Sequence, residues 1–527
     1  MGGKASRVGG VLFIAAALLA AAGLVHARGF YHDDAYITLR YVQRFLAGRG
    51  VTWNDGERVA GFTHPLWLAQ IALLGALRVP LPLATRLCGV AYLVSLFALW
   101  WRARAWPLPL LLVATQPALI YWALGGLETA GIAFWLAAGA WLVVVARERV
   151  LQDNPRSVRT AGAAGAAFAA AALMRPEGLG AGLVALVWLA TARRRAPVIA
   201  MLAALALPVL AYVGFSAAYF GDYLPNTARA KIGGLPLGGQ LRMALDYLAM
   251  NWVEWAPGLG AAIVVHVLAP TRRLLLFSLL SVPVWASLLL GGGDHMAGAR
   301  LVVPVVVVLA FGAGLAGRPT TASRLWAALL VGVAAAGWQF TWLVTRQSVV
   351  DAAAVKGEVV GRFLEAHLPP GATVSTATAG STAYFAPSLC FIDSLGLNDR
   401  RIAARVVSGR QTWLQFLPGH QKGDGAYVLS RAPEVVVLGP AGGYLGANPR
   451  AWFLTDFELL SSPQFRARYL PYLFRPPIAA ATIGRGLAPS DFTLTAYLRG
   501  DSVAVAPLVA IGTALPPPWE TDAGRRR

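Results

Sequence analysis

The sequence predicts a polytopic α-helical membrane protein with about 11 transmembrane helices and a C-terminal extracytoplasmic α/β domain. Three observations predict it. First, 57% of the 527 residues are hydrophobic and 13% are charged, and mean hydropathy is +0.58. A soluble protein carries about 25% charged residues. Second, the apolar residues come in runs of roughly 15–20, long enough to cross a bilayer as helix. Third, these runs stop after about residue 346 and shorter mixed patterns follow. The composition excludes a soluble enzyme, a disordered chain, a collagen and a coiled coil.

The predicted spans are 8–26, 84–101, 107–122, 129–146, 160–174, 178–192, 197–218, 257–270, 274–290, 301–317 and 325–345. The first run follows Lys4 and Arg7 and resembles a signal peptide, but the spans after it favour an uncleaved helix with a cytoplasmic N-terminus. Arg102/Arg104, Arg147/Arg149/Arg156/Arg159, Arg193–Arg195, Arg272/Arg273 and Arg318/Arg324 then share one side with that terminus. Basic residues are denser on this side, as the positive-inside rule requires of the cytoplasmic face. The apolar stretch 64–78 is set on the outer membrane–water boundary as a juxtamembrane helix, because a further span would invert everything after it. Domain 1–345 thus carries two long outer loops, 27–83 and 219–256, and loops of that length are usually functional. Ala/Gly-rich spans such as 161–173 favour close helix packing.

Region 346–527 reads as α/β. A helix near 350–367 is followed by strand-like 372–378, 391–393 and 434–438, and a polar tail closes the chain. The net charge of +20 does not signal nucleic acid, since the basic residues are scattered and many end apolar runs. Cys88 lies in an apolar run and Cys390 in the C-terminal domain, so no disulfide framework is expected.

The first outer loop is the most informative. His32-Asp33-Asp34-Ala35-Tyr36 places adjacent carboxylates where the first helix leaves the membrane, and ionisable groups at that depth are costly. Ile37, Tyr41 and Phe45 then recur at helical spacing with Arg40 and Arg44 on another face. This pattern predicts an amphipathic helix on the membrane with basic groups available to lipid phosphates. One Asp suffices to cap that helix, which leaves the second for chemistry. Two carboxylates are too few to specify a divalent metal.

DDAYITLRY, followed by VTWNDGERVAGFTHPLW with Asn54, Arg58 and His64, resembles the bacterial GT-C glycosyltransferases, and among them the terminal arabinofuranosyltransferase family of actinobacteria. Some relatives carry a flagellar-motor-control label. Further matches are Gly126-Leu127-Glu128-Thr129, Met174-Arg175-Pro176-Glu177-Gly178 and Gly221-Asp222-Tyr223-Leu224-Pro225-Asn226-Thr227. Gly293-Asp294-His295-Met296 with Arg300, Asp393 to Asp399 with Asn398, Gly419-His420 and Lys422 to Gly425 complete the set. The resemblance runs from about residue 31 to about 435, and its polar motifs before the C-terminal domain fall on one side of the expected topology.

The resemblance implies a polyprenyl-phosphate-linked sugar donor, used at the extracytoplasmic face of the bacterial inner membrane, and a glycan or glycolipid acceptor. No phosphate-cradling Gly-rich loop is evident, which agrees with a donor that stays in the membrane. Inverting transfer needs a base for the acceptor hydroxyl and cations for the departing phosphate. Asp33 is expected as the base with Asp34 as its partner. Arg40, Arg58, Lys231 and Arg300 are expected around the donor phosphate. Tyr36, Asn54, Glu128, Arg175, Glu177, Asn226, Asp294, His295, Asn398 and His420 are expected around substrate. An Arg175–Glu177 ion pair and hydrogen bonding within buried loops by Asp393, Asn398, Asp399, His420 and Lys422 are the structural alternatives. No cofactor is required, and a divalent cation is compatible. A flippase for a lipid-linked sugar and a non-catalytic envelope-assembly protein are the competing functions. The absence of an evident internal repeat and the boundary position of the carboxylates favour the enzyme over the flippase.

Overall fold

The computed structural model describes residues 2–231, 236–268, 273–296, 298–346, 350–407, 418–440, 451–478 and 492–520. The chain divides into two compact units, each built from three separated segments. One comprises residues 1–30, 63–215 and 239–349; the other comprises 31–62, 216–238 and 350–527.

The first unit is a helical bundle. Its helices include α1 (Gly2–His26), α3 (Pro65–Ala76), α4 (Leu81–Arg102), α5 (Leu108–Ala114), α6 (Pro117–Leu124), α7 (Thr129–Leu151), α8 (Ser157–Met174) and α9 (Glu177–Ala190). They continue with α10 (Arg195–Phe220), α12 (Leu237–Met250), α13 (Trp252–Leu268), α14 (Arg273–Leu290), α15 (Val303–Ala316) and α16 (Ala322–Thr345), while α11 (Asn226–Lys231) belongs to the second unit. Among the described residues six helices are long and apolar enough to cross a membrane, or up to seven if α12 and α13, which meet at 86°, form one broken span. The protein is a multi-pass membrane protein. The described part of each expected span falls on a helix or a helix pair, with 269–270 of the span 257–270 outside the described residues, but several of these helices are short. The 107–122 stretch divides into α5 and α6 because Pro117 interrupts the hydrogen-bond ladder after Gln116. Helices α9, α14 and α15 are apolar but under 18 residues in their apolar stretch, as is α3 in the 64–78 stretch.

Burial separates central helices from peripheral ones. In α7, 72% of the apolar window is buried, against 11% in α10. Helix α7 packs on α8, α4 and α15. The small residues of α8 permit this density. Gly139 on α7 accommodates the Phe168 ring, and a Cβ on Gly165 would stand 2.2 Å from the Met201 carbonyl oxygen.

The second unit holds α2 (Asp33–Leu46) and a mixed sheet of β1 (Thr373–Thr376), β2 (Cys390–Asp393), β3 (Val435–Val436), β4 (Tyr469–Phe474), β5 (Leu494–Arg499) and β6 (Thr513–Ala514). The strand order is β2-β1-β3-β5-β4-β6. Strands β2, β1 and β3 are parallel, and β5, β4 and β6 add antiparallel. Helices α17 (Ala352–His367), α18 (Ser381–Tyr384), α19 (Arg400–Ala404), α20 (Gly425–Ser430), α21 (Leu454–Ser461) and α22 (Pro463–Arg468) complete it. The expected polar tail begins later than the sequence suggests. Trp519 packs against the core that contains Phe465 and Tyr497, and 521–527 lie outside the described residues. Cys88 and Cys390 are both free.

Helix α2 departs from the expected membrane-surface helix. Its Arg face is as buried as its apolar face, because α18 packs on it. Sequence periodicity identifies a two-faced helix but not that its polar face is covered by residues more than 300 positions away.

Substituting Gly165→Leu forces a side chain into backbone, and overpacking costs about 1–3 kcal/mol. Gly214→Leu adds a side chain where no atom lies within 4 Å. Thermal unfolding in detergent should show a lowered midpoint for the first and an unchanged one for the second.

Candidate active site

Two polar clusters gather the sequence motifs, one in each unit. The cluster of the second unit forms at the start of α2. His32 is the N-cap, and its Nδ1 accepts a hydrogen bond from the Asp34 N–H at 3.2 Å. The cap is therefore supplied by the residue before the pair, and neither Asp is needed for it. The Asp33 N–H donates to Asp351 Oδ2 at 2.7 Å, and Asp351 also caps α17 by accepting from the Ala353 N–H.

Asp33 is 7% exposed. Its Oδ1 accepts from the Ser381 N–H at 2.7 Å and the Ser381 hydroxyl at 2.5 Å, while Oδ2 accepts from the Gly380 N–H at 3.3 Å. Gly380 is required by this approach, since a Cβ there would stand 2.0 Å from the Asp33 carbonyl oxygen. Burial, with the negative charge of Asp351 second, pushes the Asp33 carboxyl up to about 7 against the opposing Ser381 hydrogen bonds. Asp34 is half-buried and the more exposed of the two. Tyr36 packs among Tyr31, Tyr384 and Phe385, with ring centroids 4.9–5.3 Å apart.

Several expected substrate contacts instead hold the fold. Arg40, expected at the donor phosphate, is 1% exposed. Its guanidinium donates to the carbonyls of Trp53 (2.7 Å), Ala383, Ala386 (3.4 Å) and Leu389 (3.0 Å). It also lies over the Trp53 and Phe391 rings. With its donors committed to backbone, Arg40 is a staple. Asn54 brackets β2, donating to the Phe391 carbonyl at 2.7 Å and accepting from the Phe391 N–H at 3.0 Å. The Asn226 amide donates to the carbonyls of Gly396 and Leu397, both at 2.9 Å. Asn398 donates from backbone and side chain to Asp393, and its Oδ1 accepts from the Tyr41 hydroxyl at 3.2 Å. Burial raises the Asp393 carboxyl to about 6 despite these bonds. Asp399 caps α19, and Lys422 donates to the Arg405 carbonyl at 2.6 Å. His420 stacks on Phe453. Arg58 is exposed and lies over Tyr219, while Lys231 is half-buried beside Gly419.

The cluster of the first unit joins four sequence motifs at helix ends. Glu128, which precedes α7, lies 3.3 Å from His64 Nδ1 and 3.2 Å from Arg175 Nη1. Arg175, at the end of α8, also pairs with Glu177, the first residue of α9, at 2.5 Å. Arg300, just before α15, pairs with Asp294 at 2.7 Å and stacks over Trp122. Arg300 Nη1 is buried without a hydrogen bond among the described residues and lies 3.9 Å from Glu128 Oε1. His295 Nδ1 is 3.5 Å from Asp294. Burial alone would raise the Glu128 carboxyl, but His64, Arg300 and Arg175 outweigh it and hold it at about 2. His64, given no catalytic role on sequence, is thus a member of this network. No group of three or more His, Cys, Asp or Glu side chains suited to a metal ion occurs among the described residues.

Sequence reasoning missed Ser381, Gly380 and Asp351. None lies in a motif, and only proximity to Asp33 gives them a role.

These features define a multi-pass membrane protein with a buried, backbone-anchored carboxylate following its first apolar helix. Comparison with known proteins agrees with the motif resemblance. Over 328 residues the chain is 28% identical to a terminal beta-(1->2)-arabinofuranosyltransferase of Mycobacterium tuberculosis, a match covering 54% of this chain and 52% of that protein. The chain thus spans about half the length of the curated relative it matches. Residues 344–484 match a family described as a domain of unknown function (DUF8728). Among solved structures, ArnT from Cupriavidus metallidurans bound to undecaprenyl phosphate aligns with a TM-score of 0.47 and 14% identity, covering 72% of this chain and 85% of that one. Its apo state gives 0.45 and 15%, covering 73% and 86%.

Asp33 holds its proton more tightly folded than unfolded, so its contribution to stability falls as pH rises from about 4 through about 7. Asp33→Asn should flatten that part of the curve of unfolding midpoint against pH. An unchanged slope would remove the raised carboxyl from the account.

Proposed function

We propose that the protein is an inverting glycosyltransferase of the GT-C class. It transfers a sugar, with arabinofuranose the first candidate, from a polyprenyl-phosphate donor to a cell-envelope glycan or glycolipid. The reaction takes place on the extracytoplasmic side of the bacterial inner membrane, with the N-terminus cytoplasmic and region 346–527 outside. The observation that carries this reading is the setting of Asp33. Its carboxyl is held by Ser381 through Oδ1 and pushed up to about 7. A general base works best when fixed in position with a pKa near the operating pH.

Asp33 Oδ2, with a single hydrogen bond from Gly380, accepts the proton of the acceptor hydroxyl in this proposal. The acceptor oxygen, its proton passed to Asp33, attacks the anomeric carbon as the bond to the donor phosphate breaks, and polyprenyl phosphate leaves. Asp34 is the second carboxylate of the pair. Arg58, Lys231 and Arg300 are proposed for the leaving phosphate; one buried nitrogen of Arg300 has no hydrogen bond among the described residues. Arg is suited to phosphate because two of its N–H groups can engage two oxygens together. Tyr36, Glu128, Arg175, Glu177, Asp294, His295 and His420 are assigned to shaping substrate sites. Neither a cofactor nor a metal is needed for the step as written. A divalent cation remains compatible with it.

The test is transfer by the reconstituted protein with a panel of polyprenyl-phosphate sugars, following release of polyprenyl phosphate. Asp33→Asn should bind donor and lose at least about 100-fold in turnover, the usual worth of general-base catalysis. Asp34→Asn beside it separates the two carboxylates. Loss confined to Asp34→Asn would move the base to that residue. No release from any donor by folded protein would discard the enzyme reading.

The active base is ionised, so kcat/KM should rise with pH through about 7. Ser381 hydrogen bonds favour the ionised form, so Ser381→Ala should shift that rise to higher pH. A shift to lower pH would contradict the arrangement.

A further inference from the structure

We propose that the apolar segment Val503–Ile511 docks the second unit onto an anionic lipid surface, with the basic groove beside it receiving phospholipid headgroups. The segment VAVAPLVAI contains no polar side chain. It forms a 3-10 turn, Val503–Val505, followed by the helix Ala506–Ile511. Val505 and Leu508 face the core. Val503, Val509 and Ile511 are 91%, 41% and 54% exposed, and Ala506, Pro507 and Ala510 are exposed with them. A surface helix of a soluble domain places polar residues outward. Here the outer face is entirely apolar, which marks an interaction surface.

The occupant follows from what adjoins the segment and from how the chain is tethered. A groove of about 490 Å³ includes Ile511, Leu473 and Pro477 together with the exposed Arg475. A second groove of about 360 Å³ shares Phe363, His367 and Pro477 with it and adds Arg362, whose side chain is 62% exposed and pairs with Glu358 at 3.0 Å. Aliphatic side chains beside exposed arginines match the acyl and phosphate regions of an anionic lipid. The chain also passes between the two units five times, after residues 30, 62, 215, 238 and 349. The segment therefore belongs to a body tied to a bilayer by the other unit. A glycan fits this surface less well. Sugar recognition needs exposed ring faces, and Phe363 and Phe474 at the groove are buried.

This inference does not rest on glycosyltransferase activity, and its readout needs none. In full-length protein with Cys88→Ala and Cys390→Ala, single cysteines are introduced as Val503→Cys, Val509→Cys or Ile511→Cys and labelled with an environment-sensitive fluorophore. Ser430→Cys, at the exposed last residue of α20 in the same unit, is the comparison site. The proteins are placed in nanodiscs of phosphatidylcholine with or without phosphatidylglycerol, and doxyl-labelled lipid is the quencher. Labels on the segment should be blue-shifted and quenched about two-fold more than the Ser430→Cys label, with a larger effect in anionic discs. Arg362→Glu with Arg475→Glu should abolish that anionic increment. Labels quenched freely by aqueous iodide and insensitive to doxyl lipid would overturn the proposal. Shielding of the labels by soluble oligosaccharide and not by lipid would overturn it too, in favour of a sugar-binding face.

Discussion

The buried guanidinium of Arg40 is the interaction on which the second unit depends. It is a permanent charge with almost no exposed surface, and it persists there because four backbone carbonyls and two aromatic rings surround it. Burying such a group without full hydrogen bonding costs several kcal/mol. The segment that supplies three of those carbonyls, 383–389, follows directly on the Gly380-Ser381 pair that holds Asp33. One arginine on α2 therefore fixes the register between the carboxylate pair and the loop that orients it. Asn54 and Asn226 repeat the device, Asn54 at the edge strand β2 and Asn226 at the loop that follows it.

The first unit solves a different problem. Three acids and two arginines converge at helix ends, and each charge has an opposite neighbour within 4 Å. Such a network is a weak source of stability but a strong source of position, because removing any one member strands another in a low-dielectric site. The phosphate-binding role proposed for Arg300 would draw on that rigidity. Preorganised charges need not rearrange as the leaving group gains charge.

Most of the secondary structure was legible in the sequence because hydrophobic runs report directly on helices that meet lipid. The adjacent acids Asp33 and Asp34 also stand out in the sequence, since ionisable groups beside an apolar run are costly. The roles of Arg40, Asn54, Asn226 and Asn398 were not. An arginine pointing at phosphate and one pointing at carbonyls leave the same trace in one helix, and the difference lies in distant backbone. Ser381 and Gly380 were invisible for the same reason. The network of His64, Glu128, Arg175 and Arg300 was half legible. The pairing of Arg175 with Glu177 follows from local spacing, whereas the convergence of the others requires the bundle.

The three-part composition of the second unit has a consequence for biogenesis. Ser381 leaves the ribosome 348 positions after the Asp33 it holds. Throughout that interval Arg40 has Trp53 beside it but not the carbonyls of Ala383, Ala386 and Leu389, and Asp33 lacks Asp351, Gly380 and Ser381; contacts so distant in the chain close slowly. The nascent protein is thus a helical bundle carrying an incomplete second unit until residues 350–527 arrive. That intermediate exposes apolar and charged surface together, the state on which chaperones and membrane proteases act. A chain that stops before Gly380 lacks the groups that anchor the Asp33 carboxylate altogether.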